Sequence, residues 1–150
     1  MRIGWIGLGA IGTNMVRRAL GAGHRLTVFA RGKGLEEVIA EGAWTSGDYR
    51  ALAAQSDVLA ICLFNDIQVR SVLFEEGALA SMRPGSVLAI HTTGSPGLAR
   101  EIGALAPEGV EVMDATFSGG PHTVLAGELT AMVGGTAEAP QRKPVMESSR

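Results

Sequence analysis

Residues 2–23, RIGWIGLGAIGTNMVRRALGAG, decide the fold. Ile3, Trp5 and Ile6 form a short apolar run that enters the array Gly7-Leu8-Gly9-Ala10-Ile11-Gly12, and Ile11, Met15, Val16, Ala19 and Leu20 then recur at helical spacing. The order is strand, tight turn, helix. Gly7 permits a sharp exit from the strand, Gly9 has no side chain to hold a pyrophosphate off the backbone, and Gly12 lets the helix press against the sheet. The helix start offers unpaired N–H groups and a positive dipole end to phosphates. The same spacing occurs in tight strand-helix turns that bind nothing. Its place here, after a strand and at the opening of a helix, predicts a dinucleotide site.

Working outward, residues 25–29 (RLTVF) form the second predicted strand. An acidic residue at its carboxyl end would bond the ribose 2′-hydroxyl of NAD and repel a 2′-phosphate. This chain has Ala30-Arg31-Gly32-Lys33 there, with two cations and no carboxylate, which favours NADPH over NADH. The competing reading is a solvated basic loop. Short helices are predicted at 35–41 and 48–55, with a brief strand-like passage at 42–44 and Ser46 or Asp48 as N-cap of the second helix.

The unbroken apolar run 58–63 is a strand buried on both faces, and it ends in Phe64-Asn65-Asp66. Asn65 either bonds a ligand or turns the chain. A helix is predicted over 67–82, with Ile67, Val72, Leu73 and Leu79 inward, stopped by Arg83-Pro84-Gly85. Residues 86–91 form the next strand, followed by Thr92-Thr93-Gly94-Ser95-Pro96 and a helix over 96–105. Strands at 110–115 and 129–133 complete the pattern. Strands alternating with helices predict an α/β fold with a doubly wound, mostly parallel sheet whose ligands lie outside the strands' carboxyl ends.

Bulk composition agrees. The chain has 150 residues, 46% hydrophobic and 19% charged, which suits one ordinary globular domain with a sizeable core. A formal charge of −2 argues against nucleic acid or an anionic membrane as partner. The single Cys62 lies inside an apolar run with no flanking cation or base, so it reads as a small hydrophobe rather than a nucleophile. His24, His91 and His122 lack ligand spacing, and no metal is expected. No apolar run approaches the ~18 residues of a membrane span, and the expected compartment is the cytoplasm.

The GLGAIG turn followed by Asn14-Met15 after Thr13, the TTGSP segment, and DATFSGGPHTVLAGELTAMVGG over 114–135 together resemble the β-hydroxyacid dehydrogenase family. That family includes 3-hydroxyisobutyrate, tartronate semialdehyde and 6-phosphogluconate dehydrogenases. The resemblance implies a Rossmann-type cofactor domain in which Gly7, Leu8, Gly9, Ala10, Ile11 and Gly12 cradle the pyrophosphate of NADP. It places Arg31, beside Ala30, at the 2′-phosphate, Leu63, Phe64 and Asn65 along the cofactor, and Thr93 near the nicotinamide and substrate. Ser118, Gly119 and Gly120 would receive the carboxylate of a small-molecule substrate, a small 3-hydroxy acid. The implied reaction is reversible hydride transfer. An imine-reductase-like enzyme and a non-catalytic NADP-binding protein are the competing functions.

The chain also departs from the family. Relatives often carry Asn where Ala30 stands, so one polar contact to the adenosine side is missing. Thr116-Phe117 replaces a Pro-Val pair and narrows the substrate wall, and His122 either approaches substrate or is a plain loop residue. The family's catalytic lysine, with an asparagine four residues on, begins a second, all-helical domain that these 150 residues do not include, and Lys143 is no substitute. Residues 136–150 resemble the last helix of the cofactor domain despite two prolines. The expectation is therefore a cofactor domain without a catalytic residue of its own, inactive alone. It would be part of a longer polypeptide that forms a homodimer or larger assembly, the competing reading being a naturally shortened product.

Overall fold

A computed structural model describes residues 1–135; the helix expected at 136–150, and Lys143 within it, lie outside the described residues. Along the chain the elements are β1 (Arg2–Ile6), α1 (Ala10–Gly21), β2 (Arg25–Phe29), α2 (Lys33–Ala40), β3 (Trp44–Thr45), α3 (Tyr49–Gln55) and β4 (Val58–Ile61). There follow α4 (Asp66–Arg70), β5 (Val87–Ile90), α5 (Leu98–Leu105), β6 (Glu111–Ser118), α6 (Pro121–Ala126) and β7 (Thr130–Gly135).

The strands form one seven-stranded sheet in the order β3-β2-β1-β4-β5-β6-β7. Every neighbouring pair is parallel except β6 and β7. Beyond β3 the chain crosses over to lay β4 on the other side of β1. That reversal opens a crevice at the carboxyl ends of β1 and β4.

Side chains alternate across the sheet with period two and separate into a core on each face. On one face Ile3, Trp5, Leu26, Val28 and Ala60 pack with Met15 and Val16 of α1 and Val124 of α6. On the other, Ile6, Leu59, Ile61, Leu88 and Ile90 pack with Leu52 of α3, Val69 of α4 and Ile102 of α5. Burial on both faces is why β4 and β5 read as unbroken apolar runs. Asp48 is the N-cap of α3, its Oδ1 accepting the N–H of Arg50 at 2.9 Å.

The helix expected over 67–82 is broken. After α4 the chain makes a π turn over Ser71–Glu75, passes Gly77 at φ +77°, and ends in a single 3₁₀ turn, Leu79–Ser81. Val69, Val72 and Leu73 face the core as expected for i, i+3, i+4 neighbours. Ile67 does not: two residues before Val69, it sits roughly 200° round the helix and is 76% exposed.

β6 runs three residues beyond Ala115, because β7 pairs with it from Met113↔Gly135 to Ser118↔Thr130. α6, absent from the sequence reading, is started by Pro121 in its first turn and stopped by Gly127 at φ +75°. The last strand begins at Thr130 rather than Leu129, and Pro96-Gly97 form a turn ahead of α5.

Candidate functional site

A cleft of about 700 Å³ lies outside the carboxyl ends of β1, β2 and β4. Its walls include the whole turn from Gly7 to Gly12, then Phe29, Ala30, Arg31 and Tyr49 on one side and Cys62, Leu63, Phe64, Gln68 and Phe117 on the other.

The three glycines of the turn do different work. Gly7 has φ +100°, and a Cβ there would overlap the carbonyl oxygen of Cys62. A Cβ on Gly12 would lie 2.5 Å from the oxygen of Gly7, so this glycine lets α1 start against the strand end. Gly9 is the N-cap of α1 at φ −81°, ψ −172°, and a Cβ there would meet no atom within 4 Å. The first turn of α1 carries no acidic residue, so nothing on the helix offsets its positive end.

Trp5, legible in the sequence only as part of the apolar run of β1, holds this turn from beneath. The buried indole of Trp5 donates its Nε1–H to the oxygen of Gly7 at 2.8 Å. Its ring stacks on His91 at 5.5 Å between centroids, and His91 in turn lies 6.4 Å from the Phe117 ring. His91 Nδ1 meets the Ala115 carbonyl at 2.9 Å, which can only accept, so Nδ1 carries the proton. Burial drives the His91 pKa below its ordinary value and keeps the ring neutral, against a weaker upward pull from the Ala115 carbonyl. Trp5→Phe keeps most of the ring but leaves the Gly7 oxygen unpartnered. Urea denaturation is expected to show a loss of about 1–3 kcal/mol.

Across the cleft, Leu63 N–H donates to the buried Thr92 Oγ1 and Phe64 N–H to Gln68 Oε1, both at 2.9 Å. Asn65 turns the chain, its Oδ1 capping α4 by accepting the Gln68 N–H at 2.9 Å. Phe64 is 90% exposed at the lip. Burial pushes the Cys62 thiol up to about 11, so it is protonated and inert at neutral pH.

The remaining sequence-derived residues stand at the same edge but outside these walls. Thr93 is exposed on the loop after β5, and that loop is tied to α4 where Ser95 Oγ–H donates to Asp66 Oδ2 at 2.7 Å. Ser118 and Gly119 are exposed at the end of β6. The Gly120 N–H donates to Thr123 Oγ1 at 2.9 Å, and Asn14 Nδ2 joins α1 to α6 by donating to the Pro121 oxygen at 3.2 Å. His122 is exposed. No cluster of metal-ligating side chains occurs among the described residues, and no helix among them is long and apolar enough to cross a membrane.

Residues 2–149 match the family described as the NAD binding domain of 6-phosphogluconate dehydrogenase. The chain is 38% identical to a probable 3-hydroxyisobutyrate dehydrogenase-like 2, mitochondrial, of Arabidopsis thaliana over 151 aligned positions, covering 98% of this chain and 50% of that protein. It is 36% identical to an NAD-dependent L-serine dehydrogenase of Pseudomonas aeruginosa, covering 98% and 51%. The structure of Mycobacterium tuberculosis 3-hydroxyisobutyrate dehydrogenase with L-serine superposes with a TM-score of 0.89 at 31% identity, over 99% of this chain and 51% of that one. The chain thus spans about half the length of the relatives it matches. The glycine turn at the switch point of this sheet, together with the match over residues 2–149, shows that the chain belongs to the family of the NAD binding domain of 6-phosphogluconate dehydrogenase.

Proposed function

We propose that residues 1–150 are the NADP(H)-binding domain of an oxidoreductase that moves a hydride between nicotinamide and the hydroxyl carbon of a small 3-hydroxy acid. The carrying observation is the pairing, in one cleft, of an open Gly9 at an uncompensated helix start with Arg31 at a β2 end that lacks a carboxylate. The space a Cβ would fill at Gly9 suits a pyrophosphate, and Arg31 suits a 2′-phosphate.

In this reading the backbone from Gly7 to Gly12 holds the pyrophosphate and Ala30-Arg31 the adenosine end. Leu63, Phe64 and the Asn65 amide line the cofactor, and Thr93 stands near the nicotinamide. Ser118, Gly119 and Gly120 receive the substrate carboxylate. When bound, the cofactor supplies the hydride. The chain's own groups orient it and keep an anionic substrate at the sheet edge, while in the complete protein a lysine outside these residues handles the proton. The substrates in the relatives' names, L-serine and 3-hydroxyisobutyrate, belong to the class proposed. The complete protein is proposed to be a cytoplasmic homodimer or larger assembly.

Parallel titration with NADPH and NADH tests the cofactor assignment. NADPH is expected to bind at least about tenfold tighter, about 1.4 kcal/mol, and Arg31→Ala to erase the difference. Equal affinities in the unmodified protein, or no binding of either, would overturn the assignment.

A further inference from the structure

Arg31 is a charge without a neutral companion on its own strand end, since Ala30 has no side-chain donor. Of the residues lining the cleft, Arg31, Tyr49, Cys62 and Gln68 carry side-chain heteroatoms. The Cys62 thiol is buried and Gln68 Oε1 is occupied by the Phe64 N–H. Among the described residues that line the cleft, Tyr49 carries the only side-chain hydroxyl.

Its position is built. Asp48 caps α3 so that Tyr49 is the first helical residue, and the Arg50 Nε–H donates to the Glu76 oxygen at 3.2 Å, pinning the start of α3 to the segment after the π turn. The Tyr49 ring then stacks on Phe29, the last residue of β2, with centroids 3.8 Å apart and planes at 27°. One aromatic face is fixed, and the ring is partly exposed beside the arginine that follows Phe29 and Ala30. Arg31 lies within electrostatic reach of the phenol. Burial raises the Tyr49 pKa, with Arg31 pulling it down and Glu76 pushing it up, so the hydroxyl is a proton donor at neutral pH.

We propose that Tyr49 is a second determinant of cofactor choice: its hydroxyl donates a hydrogen bond to the 2′-phosphate that Arg31 pairs with, supplying from α3 the neutral contact that Ala30 cannot. This rests on the NADP(H) reading above. A guanidinium alone attracts any nearby anion, whereas a fixed hydroxyl beside it adds direction.

The test is Tyr49→Phe, which keeps the ring on Phe29, titrated with NADPH, NADH, adenosine 2′,5′-bisphosphate and 5′-AMP. The expected result is about a tenfold weaker Kd for NADPH and for the bisphosphate, as for a hydrogen bond to a charged group. NADH and AMP should change less than about twofold, and the thermal midpoint should hold. A uniform loss for all four ligands would mean that Tyr49 serves the shared adenosine or only packs, and would overturn the inference. So would no change in any of them. If the unmodified protein prefers NADPH and Arg31→Ala removes that preference while Tyr49→Phe does not move it, this inference fails alone. If the unmodified protein shows no preference, the cofactor assignment fails and this inference with it.

Discussion

Gly9→Asp is expected to abolish nucleotide binding while leaving the protein as stable as before, or slightly more stable. Gly9 sits in extended backbone at φ −81°, ψ −172°, a conformation open to any residue, and a Cβ there meets no atom within 4 Å. Aspartate is among the best N-caps, and its charge complements the positive helix end, worth about 0.3–1 kcal/mol. The thermal midpoint should stay level or rise by about 1–3 °C. The same carboxylate would stand where the pyrophosphate approaches, adding bulk and like charge. Nucleotide affinity should fall more than about a hundredfold, about 2.7 kcal/mol. The two readouts move in opposite directions, so calorimetry and thermal melting on one sample separate a blocked site from a damaged fold. Retained NADPH binding in a folded Gly9→Asp protein would remove the glycine turn from the site.

Gly7→Ala should do the reverse and strike the fold first. A non-glycine residue at φ +100° is strained by about 1–3 kcal/mol, and the new methyl would also overlap the Cys62 carbonyl, backbone that directly follows the neighbouring strand β4. That strand is held to β1 where the Cys62 N–H donates to the Ile6 oxygen at 2.9 Å. Relief requires parting β1 from β4 or turning the peptide away from Trp5 Nε1. The expected loss is about 3 kcal/mol or more, a midpoint lower by roughly 6–12 °C for a chain of this length. A midpoint within error of the unmodified protein would show that the turn relaxes freely.

The contrast between these glycines explains how much was legible in the sequence. The spacing of Gly7, Gly9 and Gly12 after an apolar run announced the strand, the turn and the helix, because each depends on neighbours within one turn of chain. The apolar runs at 58–63 and 86–91 announced central strands for a similar reason: burial on both faces leaves no polar alternation to read. Ala30-Arg31 was legible as a strand end without a carboxylate. Asn65 was not, since capping and ligand binding ask for the same side chain. The 67–82 segment misled because its apolar spacing continues through Gly77, and only packing shows where the helix loosens; Ile67 points outward because it stands two residues from Val69 on the helix.

What the sequence determined by itself was the alternation of strands and helices as far as β6, the switch-point turn and the family, all carried by local spacing, while α6 and the break in the 67–82 segment went unread. Tertiary structure alone decided that β7 runs antiparallel to β6, that Trp5 reaches the Gly7 oxygen with His91 stacked behind it and the Phe117 ring tilted beyond, and that Tyr49 comes to lie on Phe29 beside Arg31. These last arrangements join side chains from separate strands and helices. Their partners are chosen by how the sheet and its covering layers pack, and a linear pattern holds no record of that choice.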